Sequence, residues 1–250
     1  MEKQTYSKLF YTRQAAGSAR SAAATLLALE DLADTTHSVL DVGCGRGHWL
    51  QAFARSGAEV HGIDGPWVLN SGFALDEGRF TPFDFSTAPV PFTPRLPRET
   101  FDLVTSFEVL EHIPPEKTDA VVQFISSQGD LLLIGAAAPG QGGIGHVNEQ
   151  WPDYWAGKFA AEGFTAFDCI RPLLWNNPDV EPWYSQNTIL YARGESLGRA
   201  RDFAARVSRA AENSILPLVH PVMMEYIRDR KSPVARAKHT LRVVRDMFGN

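Results

Sequence analysis

The chain has 250 residues, a formal net charge of −5, 44% hydrophobic and 21% charged residues, a composition that suits one α/β domain with terminal additions, or two small domains, and excludes wholesale disorder. It contains no apolar run of membrane-spanning length and no apolar signal-peptide core in its opening MEKQTYSKLF. Its two cysteines, Cys44 and Cys169, have neither metal-ligand nor disulfide-framework spacing, so a cytoplasmic location is expected. The charge is uneven, with 11 Lys+Arg against 6 Asp+Glu in residues 194–250 and 13 against 23 in the remainder; an acidic body argues against a nucleic-acid enzyme, which needs a basic groove.

Residues 15–32 are rich in Ala and Leu and predict a helix. Ser38–Val42 (SVLDV) predicts a short buried strand, which runs into Gly43-Cys44-Gly45-Arg46-Gly47; HWLQAFARSG then predicts a helix closed by Gly57. Residues 59–63 predict a second strand ending at Asp64, and a third is expected near 79–83, ending at Asp84. Residues 86–97 hold Pro89, Pro91, Pro94 and Pro97 and form a loop. Residues 101–107 predict the fourth strand, Pro114-Pro115 start a helix at about Glu116, and residues 130–136 predict a fully buried fifth strand. The loop PGQGGIGH follows, then a helix from about Gln150 to Glu162 closed by Gly163. Residues 164–170 and 186–191 predict the last two strands; beyond Gly194 the pattern is helical, broken by Pro217, Pro221 and Pro233. Strands alternating with helices indicate a mostly parallel sheet.

In such sheets ligands bind beyond the carboxyl ends of the strands. The first of these turns reads D-V-G-C-G-R-G, tighter than the G-x-G-x-x-G that cradles a pyrophosphate, with glycines that let backbone approach a ligand. Asp64, 17 residues after Gly47, is placed to accept both ribose hydroxyl protons of a nucleoside, and Asp84 to accept from an adenine amino group, with Phe83 and Phe85 beside it for stacking. Taken alone, the glycines also fit a tight turn without ligand, and Asp84 a helix N-cap or an Asx turn; the three features in step, each after its own strand, point to the ligand. Cys44 reads as a small filler, since no base lies near it in sequence.

VLDVGCGRG resembles motif I of class I S-adenosylmethionine-dependent methyltransferases, GIDG their acidic second motif and FDFS their adenine-contacting third motif. FDLVTSFEVLEHI is similar to the fourth motif of the small-molecule group that includes the ubiquinone-pathway O-methyltransferases. The resemblance covers roughly residues 38–193. It implies an α/β, Rossmann-like, mostly parallel seven-stranded sheet with helices on both faces and the last strand antiparallel, with S-adenosyl-L-methionine as cofactor. It further implies that Asp41 lies near the methionine amino end, that Gly43, Gly45 and Gly47 pass close to the cofactor, that Asp64 holds the ribose and Asp84 the adenine, and that Phe83 and Phe107 contact the cofactor. PGQGGIGHVNEQWPDYW is similar to a bacterial subgroup associated with surface-polysaccharide and secondary-metabolite gene sets, which implies a biosynthetic role. The chain divides into an N-terminal helical segment (1–37), the methyltransferase domain (38–193) and a basic helical extension (194–250).

Methyl transfer from a sulfonium is an in-line displacement, for which the protein aligns the acceptor, excludes water and takes a proton where the acceptor is a hydroxyl or protonated amine; no metal is needed. Glu108, Glu111, His112 and His146 follow strands four and five. Glu108 and His146 are the catalytic candidates, His146 as general base or positioning group at the end of a flexible glycine loop; the alternative has His146 cap the following helix or orient the loop. His112 is a candidate for the substrate side, or for holding the loop through a backbone carbonyl. Asn148, Trp151, Tyr154 and Trp183 complete the acceptor candidates; Trp175, Asn176, Asn177 and Tyr184 fall in the same long connection as Trp183, which also fits a hairpin packed on the sheet. The expected acceptor is a small or sugar-containing metabolite, methylated at oxygen or nitrogen. A nicotinamide-dependent oxidoreductase and a non-catalytic cofactor-binding scaffold are the rival classes. A nucleic-acid enzyme is disfavoured because Phe107-Glu108-Val109-Leu110 stands where an N/D-P-P-Y/F motif belongs. The tail cations Arg228, Arg230, Lys231, Arg236, Lys238, Arg242 and Arg245 suit pairing with the acidic body, in cis or in a homodimer, over contact with anionic lipid.

Overall fold

The computed structural model describes residues 8–208 and 212–231. Helices α1 (Lys8–Ala28) and α2 (Glu30–Ala33) lead into β1 (Ser38–Val42), followed by α3 (His48–Arg55), β2 (Glu59–Asp64), α4 (Trp67–Asn70) and β3 (Phe80–Pro82). Then come β4 (Leu103–Phe107), α5 (Thr118–Ser127), β5 (Leu131–Gly135), α6 (Pro152–Ala161), β6 (Thr165–Phe167), α7 (Ile170–Leu174), α8 (Pro182–Asn187), β7 (Ile189–Ala192), α9 (Ser196–Val207) and α10 (Pro221–Lys231). The seven strands are ordered β3-β2-β1-β4-β5-β7-β6. All are parallel except β7, which runs antiparallel to both β5 and β6. The expected Rossmann-like architecture, with its last strand reversed, is the one observed.

Every residue of β1, β4, β5 and β7 is buried, because helices cover both faces of the sheet. Alternate residues therefore feed two cores. Val39, Leu103 and Leu133 join Trp49, Leu50 and Phe53 of α3 on one side; Leu40, Val104 and Leu132 join Val121, Ile125 and Phe159 on the other. Each large side chain buried this way stabilises the fold by about 1.5–3 kcal/mol. Chain order reverses between β1 and β4, so the crevice between their carboxyl ends is where ligands of such sheets sit.

The long connections are the least like the sequence reading. The first helix starts before residue 15 and breaks at Leu29. The strand expected over 164–170 stops at Phe167, and α7 begins at Ile170. The strand expected from Gln186 begins at Ile189, because Pro182 opens α8 and carries Gln186 and Asn187 into a helix. The stretch holding Trp175 and Trp183 is thus two short helices, not a hairpin. Pro221 starts α10 where a break was expected, for the same reason: a first-turn proline lacks only an N–H that no carbonyl would accept. Pro233 and the tail cations Arg236, Lys238, Arg242 and Arg245, with the side chains of Arg230 and Lys231, lie outside the described residues. Among the described residues no helix is long and apolar enough to cross a membrane.

Candidate active site

The half of the edge expected to hold the cofactor, the cofactor half, is built from the ends of β1, β2 and β3. The β1–α3 turn needs its glycines for geometric reasons the structure makes explicit. Gly43 and Gly47 sit at φ +78° and +79°, and a Cβ on them would come within 2.2 Å of Val109 and 2.7 Å of Phe73, so side chains from neighbouring loops already fill that space. Gly45, also at positive φ, donates its N–H to Asp64 Oδ2 at 2.8 Å, and Gly65 donates to Oδ1 at 2.6 Å. Asp64 thus clasps the glycine turn from the end of β2, and each of its oxygens keeps a lone pair for a hydroxyl donor. Burial, the largest effect, pushes its carboxyl up to about 6 against the two N–H bonds, with Asp84 adding to the rise.

Asp41 lies in β1 opposite Thr105 of β4, whose hydroxyl donates to Asp41 Oδ1 at 2.8 Å. Burial raises this carboxyl to about 7, with the Thr105 bond opposing and Asp64 reinforcing. Asp84 follows β3 in an Asx turn, accepting from Ser86 N (2.9 Å), Ser86 Oγ (2.6 Å) and Thr87 Oγ1 (2.7 Å). Phe83 stands beside it, partly exposed, edge-on to Phe85 at 4.9 Å. Phe107 is buried, its ring stacked on Trp49 at 4.0 Å and edge-on to Tyr184 at 5.9 Å. Cys44 is buried, with its thiol pushed well up by burial and by Asp64 and Asp41, in keeping with a filler and not a nucleophile.

The half expected to face the acceptor, the acceptor half, is built from the loops after β4 and β5. Glu108, the first residue past β4, has φ +57°, a conformation that costs a non-glycine residue about 1–3 kcal/mol and concentrates at functional sites. Its carboxylate accepts from Gln141 Nε2 and from Asn187 Nδ2, the latter at 2.7 Å. Burial raises it to about 7, the two amides pull it down and Glu149 pushes it up.

The glycine loop is more tightly held than its composition suggests. Glu149 accepts from the backbone N–H of Gly140 and Gly142 and from His146 Nδ1 at 2.8 Å. This bond fixes the tautomer that leaves Nε2 of His146 as the basic nitrogen. That Nε2 lies 3.9 Å from Glu111 Oε1, and the His146 side chain is only 11% exposed. His146 does not cap the next helix: Trp151 occupies that N-cap without a side-chain bond.

His112 packs edge-on against His146 at 4.7 Å. Its ring is held down to about 4 by burial and by His146, while a bond to the Gly145 backbone, which ties it to the glycine loop, opposes. Glu111 is fully buried; burial, reinforced by Glu108, pushes its carboxyl well above the usual carboxylate range, against hydrogen bonds from its own backbone and that of Ala137. One donor atom each from Glu111, His112 and His146 lie within 4.8 Å of one another, a set of the composition that holds divalent ions and that the sequence reading does not anticipate.

The remaining acceptor candidates scatter. Asn148 is buried and braces the loop, donating to Thr118 Oγ1 at 3.0 Å and accepting from Gln150 Nε2 at 3.1 Å. Tyr154 lies under the Lys158 ammonium at 5.5 Å. Trp151 is partly exposed at the start of α6, and Trp183 packs at the edge of the α3-side core. Conversely, Gln141, Glu149, Gln186 and Asn187 line or support the site and were missed: polar residues in loops and a short helix carry no periodic signal. Exposed Ile144 and Val147 flank His146 and add an apolar rim.

The fold, with carboxylates at adjoining strand ends, is that of the methyltransferase-domain class of proteins. Residues 11–168 match the family model described as "Methyltransferase domain", and the chain belongs to that family. It is 37% identical over 100 residues to the ubiquinone biosynthesis O-methyltransferase of Saccharophagus degradans, covering 38% of this chain and 42% of that protein. It is 38% identical over 106 residues to the same enzyme of Hahella chejuensis, covering 38% and 41%. The matched region thus spans about two fifths of the length of these curated relatives. Among solved structures, the chain superposes with TM-score 0.53 and 16% identity on CalS10, an amino pentose methyltransferase from Micromonospora echinaspora, over 78% of this chain and 100% of that one. A methyltransferase from Archaeoglobus fulgidus gives 0.51 and 17% over 74% and 99%. At these identities the structural likeness establishes the fold.

Proposed function

We propose that the chain transfers a methyl group from S-adenosylmethionine to an oxygen or nitrogen of a small-molecule or sugar-containing metabolite. The observation that carries this reading is the set of carboxylates at adjoining strand ends, Asp41, Asp64 and Glu108, whose hydrogen-bond partners are all neutral. Burial raises all three, a state that a cationic ligand relieves. S-adenosylmethionine fits: it brings a sulfonium, an ammonium group and a ribose diol, and it supplies the activated methyl group. Asp64 then accepts from the ribose hydroxyls, Asp41 faces the methionine ammonium end, and Asp84 with Phe83 serves the adenine.

On the acceptor side, Glu108 and His146 are the groups that take the acceptor's proton or hold its hydroxyl. With Nδ1 of His146 donating to Glu149, Nε2 is the nitrogen left to take a proton, and the carboxamides of Gln141 and Asn187 suit an acceptor rich in hydroxyl or amino groups. The matched relatives are named as O-methyltransferases, which favours oxygen.

Two measurements test the proposal. Calorimetry with S-adenosylmethionine and with NAD should show binding of the first alone. Incubation with candidate acceptors should release S-adenosylhomocysteine and yield a product heavier by one methyl group. Cofactor binding without turnover on any acceptor class would favour the scaffold reading.

A further inference from the structure

Glu108 does not stand alone. Asn187 Nδ2 donates to Glu108 Oε1 at 2.7 Å and to Gln141 Oε1 at 2.9 Å, while Gln141 Nε2 donates to Glu108 Oε2. Gln186 Nε2 donates to Asn187 Oδ1 at 3.0 Å and to Gln141 Oε1 at 3.4 Å, and Gln186 Oε1 accepts from His220 N at 2.8 Å. His220 in turn pairs its Nε2 with Trp175 O at 2.8 Å. Gln141, Gln186 and Asn187 are all buried. One hydrogen-bond network therefore joins four segments distant in sequence: Glu108 at the end of β4 is bonded directly by the glycine loop after β5 and the last turn of α8, and the approach to α10 joins through Gln186.

Three buried carboxamides are costly unless their donors and acceptors are matched, and here they match one another and Glu108. A core-filling role would be met more cheaply by apolar side chains of the same shape. The arrangement instead presents two amide donors to a carboxylate whose own backbone is held at positive φ, the geometry of a group aimed and kept in one pose.

We propose that Gln141 and Asn187 are positioning residues that aim the Glu108 carboxylate at the acceptor and keep it ionised, and that Gln186 and His220 tie this clamp to the C-terminal extension. The extension is then part of the acceptor machinery, and Gln141 makes closure of the glycine loop a condition for a correctly posed Glu108. This inference rests on the acceptor-side reading of Glu108 and names the residues that make it work.

The groups facing Glu108 are Glu111, Glu149 and the Tyr184 hydroxyl, none of them cationic, so the two amides are what favours its charged form. Removing either should raise the pH at which it ionises.

The experiment reads Glu108 directly, without an acceptor. In protein labelled with carbon-13 at glutamate carboxyls and aspartate carboxyls, the Glu108 signal is assigned by its loss in Glu108→Gln and followed through a pH titration. Its midpoint, about 7 in the parent, should move to about 8 in Asn187→Leu and in Gln141→Met, since one charge-assisted bond is worth about one pH unit or more. Gln186→Met should move it the same way by less. Asn187→Ser, which keeps a donor, should show a smaller shift than Asn187→Leu. The Asp64 signal, at about 6, should stay in place. An unmoved Glu108 midpoint in variants that melt like the parent overturns the proposal, and so does a parallel shift of Asp64, which would mean general loosening. Cofactor affinity, measured alongside with S-adenosylhomocysteine, depends on Asp41 and Asp64 and reports separately on the methyltransferase reading.

Discussion

The two halves of the carboxyl edge are built by different means. In the cofactor half, Asp64 and Asp84 stand at strand ends and bind the backbone of nearby turns, Asp64 holding Gly45 and Gly65 and Asp84 holding Ser86; Asp41 differs in pairing with the Thr105 side chain. In the acceptor half, side chains bind side chains across long sequence separations, as Asn187 does with Glu108, 79 positions away. The first design is local and tolerates variation elsewhere in the chain. The second depends on several loops being seated together, which is where a family of shared chemistry can differ in what it methylates.

The largest effect expected from breaking this comparison is at His146. If it takes the acceptor's proton, His146→Ala should lower turnover by roughly 10²–10⁴-fold while leaving cofactor affinity nearly unchanged. Glu149→Gln should reproduce part of the loss, because Glu149 fixes the His146 tautomer and gathers the Gly140 and Gly142 amides. Steady-state rates with the acceptor found above check both; near-normal turnover in a folded His146→Ala protein would remove His146 from the chemistry.

Next is Asp64→Ala, which under the proposed cofactor placement deletes acceptors for two ribose hydroxyls, each bond worth about 1.5–3 kcal/mol. Affinity for S-adenosylmethionine should fall by roughly 10²-fold or more. Because Asp64 also clasps the glycine turn, Asp64→Asn serves beside it: one amide oxygen still accepts from a backbone N–H, while the charge is gone. Calorimetry on both variants that showed parent-like affinity would remove Asp64 from the ribose site.

Cofactor affinity should also depend on pH. Asp41 and Asp64 hold their protons to about 7 and about 6, and a cationic cofactor prefers them ionised. Binding must displace those protons as pH falls, so affinity should drop below pH 7, approaching tenfold per pH unit for each group once it is fully protonated. The linkage to folding has the opposite sense in the free protein. An unfolded Asp41 ionises near its ordinary 3.8, whereas the folded one stays neutral until about 7. The stability from its neutral form therefore fades as pH rises from about 4 to 7. Denaturation curves at several pH values, for the parent and for Asp41→Asn, should converge at low pH and separate as pH rises toward 7. Curves that stay parallel would show that Asp41 is ionised throughout.

The sequence made the cofactor half legible for the same reason that it is local. A short β-branched run followed by D-V-G-C-G-R-G marks β1 and its turn, and Asp64 and Asp84 each follow a recognisable strand. The sheet itself was readable from burial on both faces, which leaves β1 and β4 short, mostly apolar or β-branched runs and β5 a continuous apolar one. Helix α8 was not, because six residues opening on Pro182 are too few for a helical period to show. With α8 hidden, Gln186 and Asn187 read as strand residues, and their meeting with Gln141 and Glu108 had no local signature. The glycine loop misled in a different way. Gly140, Gly142 and Gly145 suggest mobility, yet their positive φ angles let the loop wrap the Glu149 carboxylate, and nothing in the spacing announces that anchor.

The smallest expected effect concerns Asn148, where sequence and structure point to different roles. Its position after His146 suggests an acceptor contact; its geometry is that of a brace, with the amide donating to Thr118 Oγ1, the amide oxygen accepting from Gln150 and the backbone N–H donating to Glu111 O. Asn148→Ala leaves the Thr118 hydroxyl without this partner in a buried place, which costs about 1–3 kcal/mol. For a chain of this size each 1 kcal/mol lowers the melting temperature by about 2–4 °C. A brace therefore predicts a drop of several degrees, eased in the double variant Asn148→Ala with Thr118→Val, since replacing both partners removes the stranded group as well. An acceptor contact predicts a parent-like melting temperature and a raised KM. Thermal melts of the two variants decide between these before the acceptor is known: a single variant that melts like the parent returns Asn148 to the acceptor site.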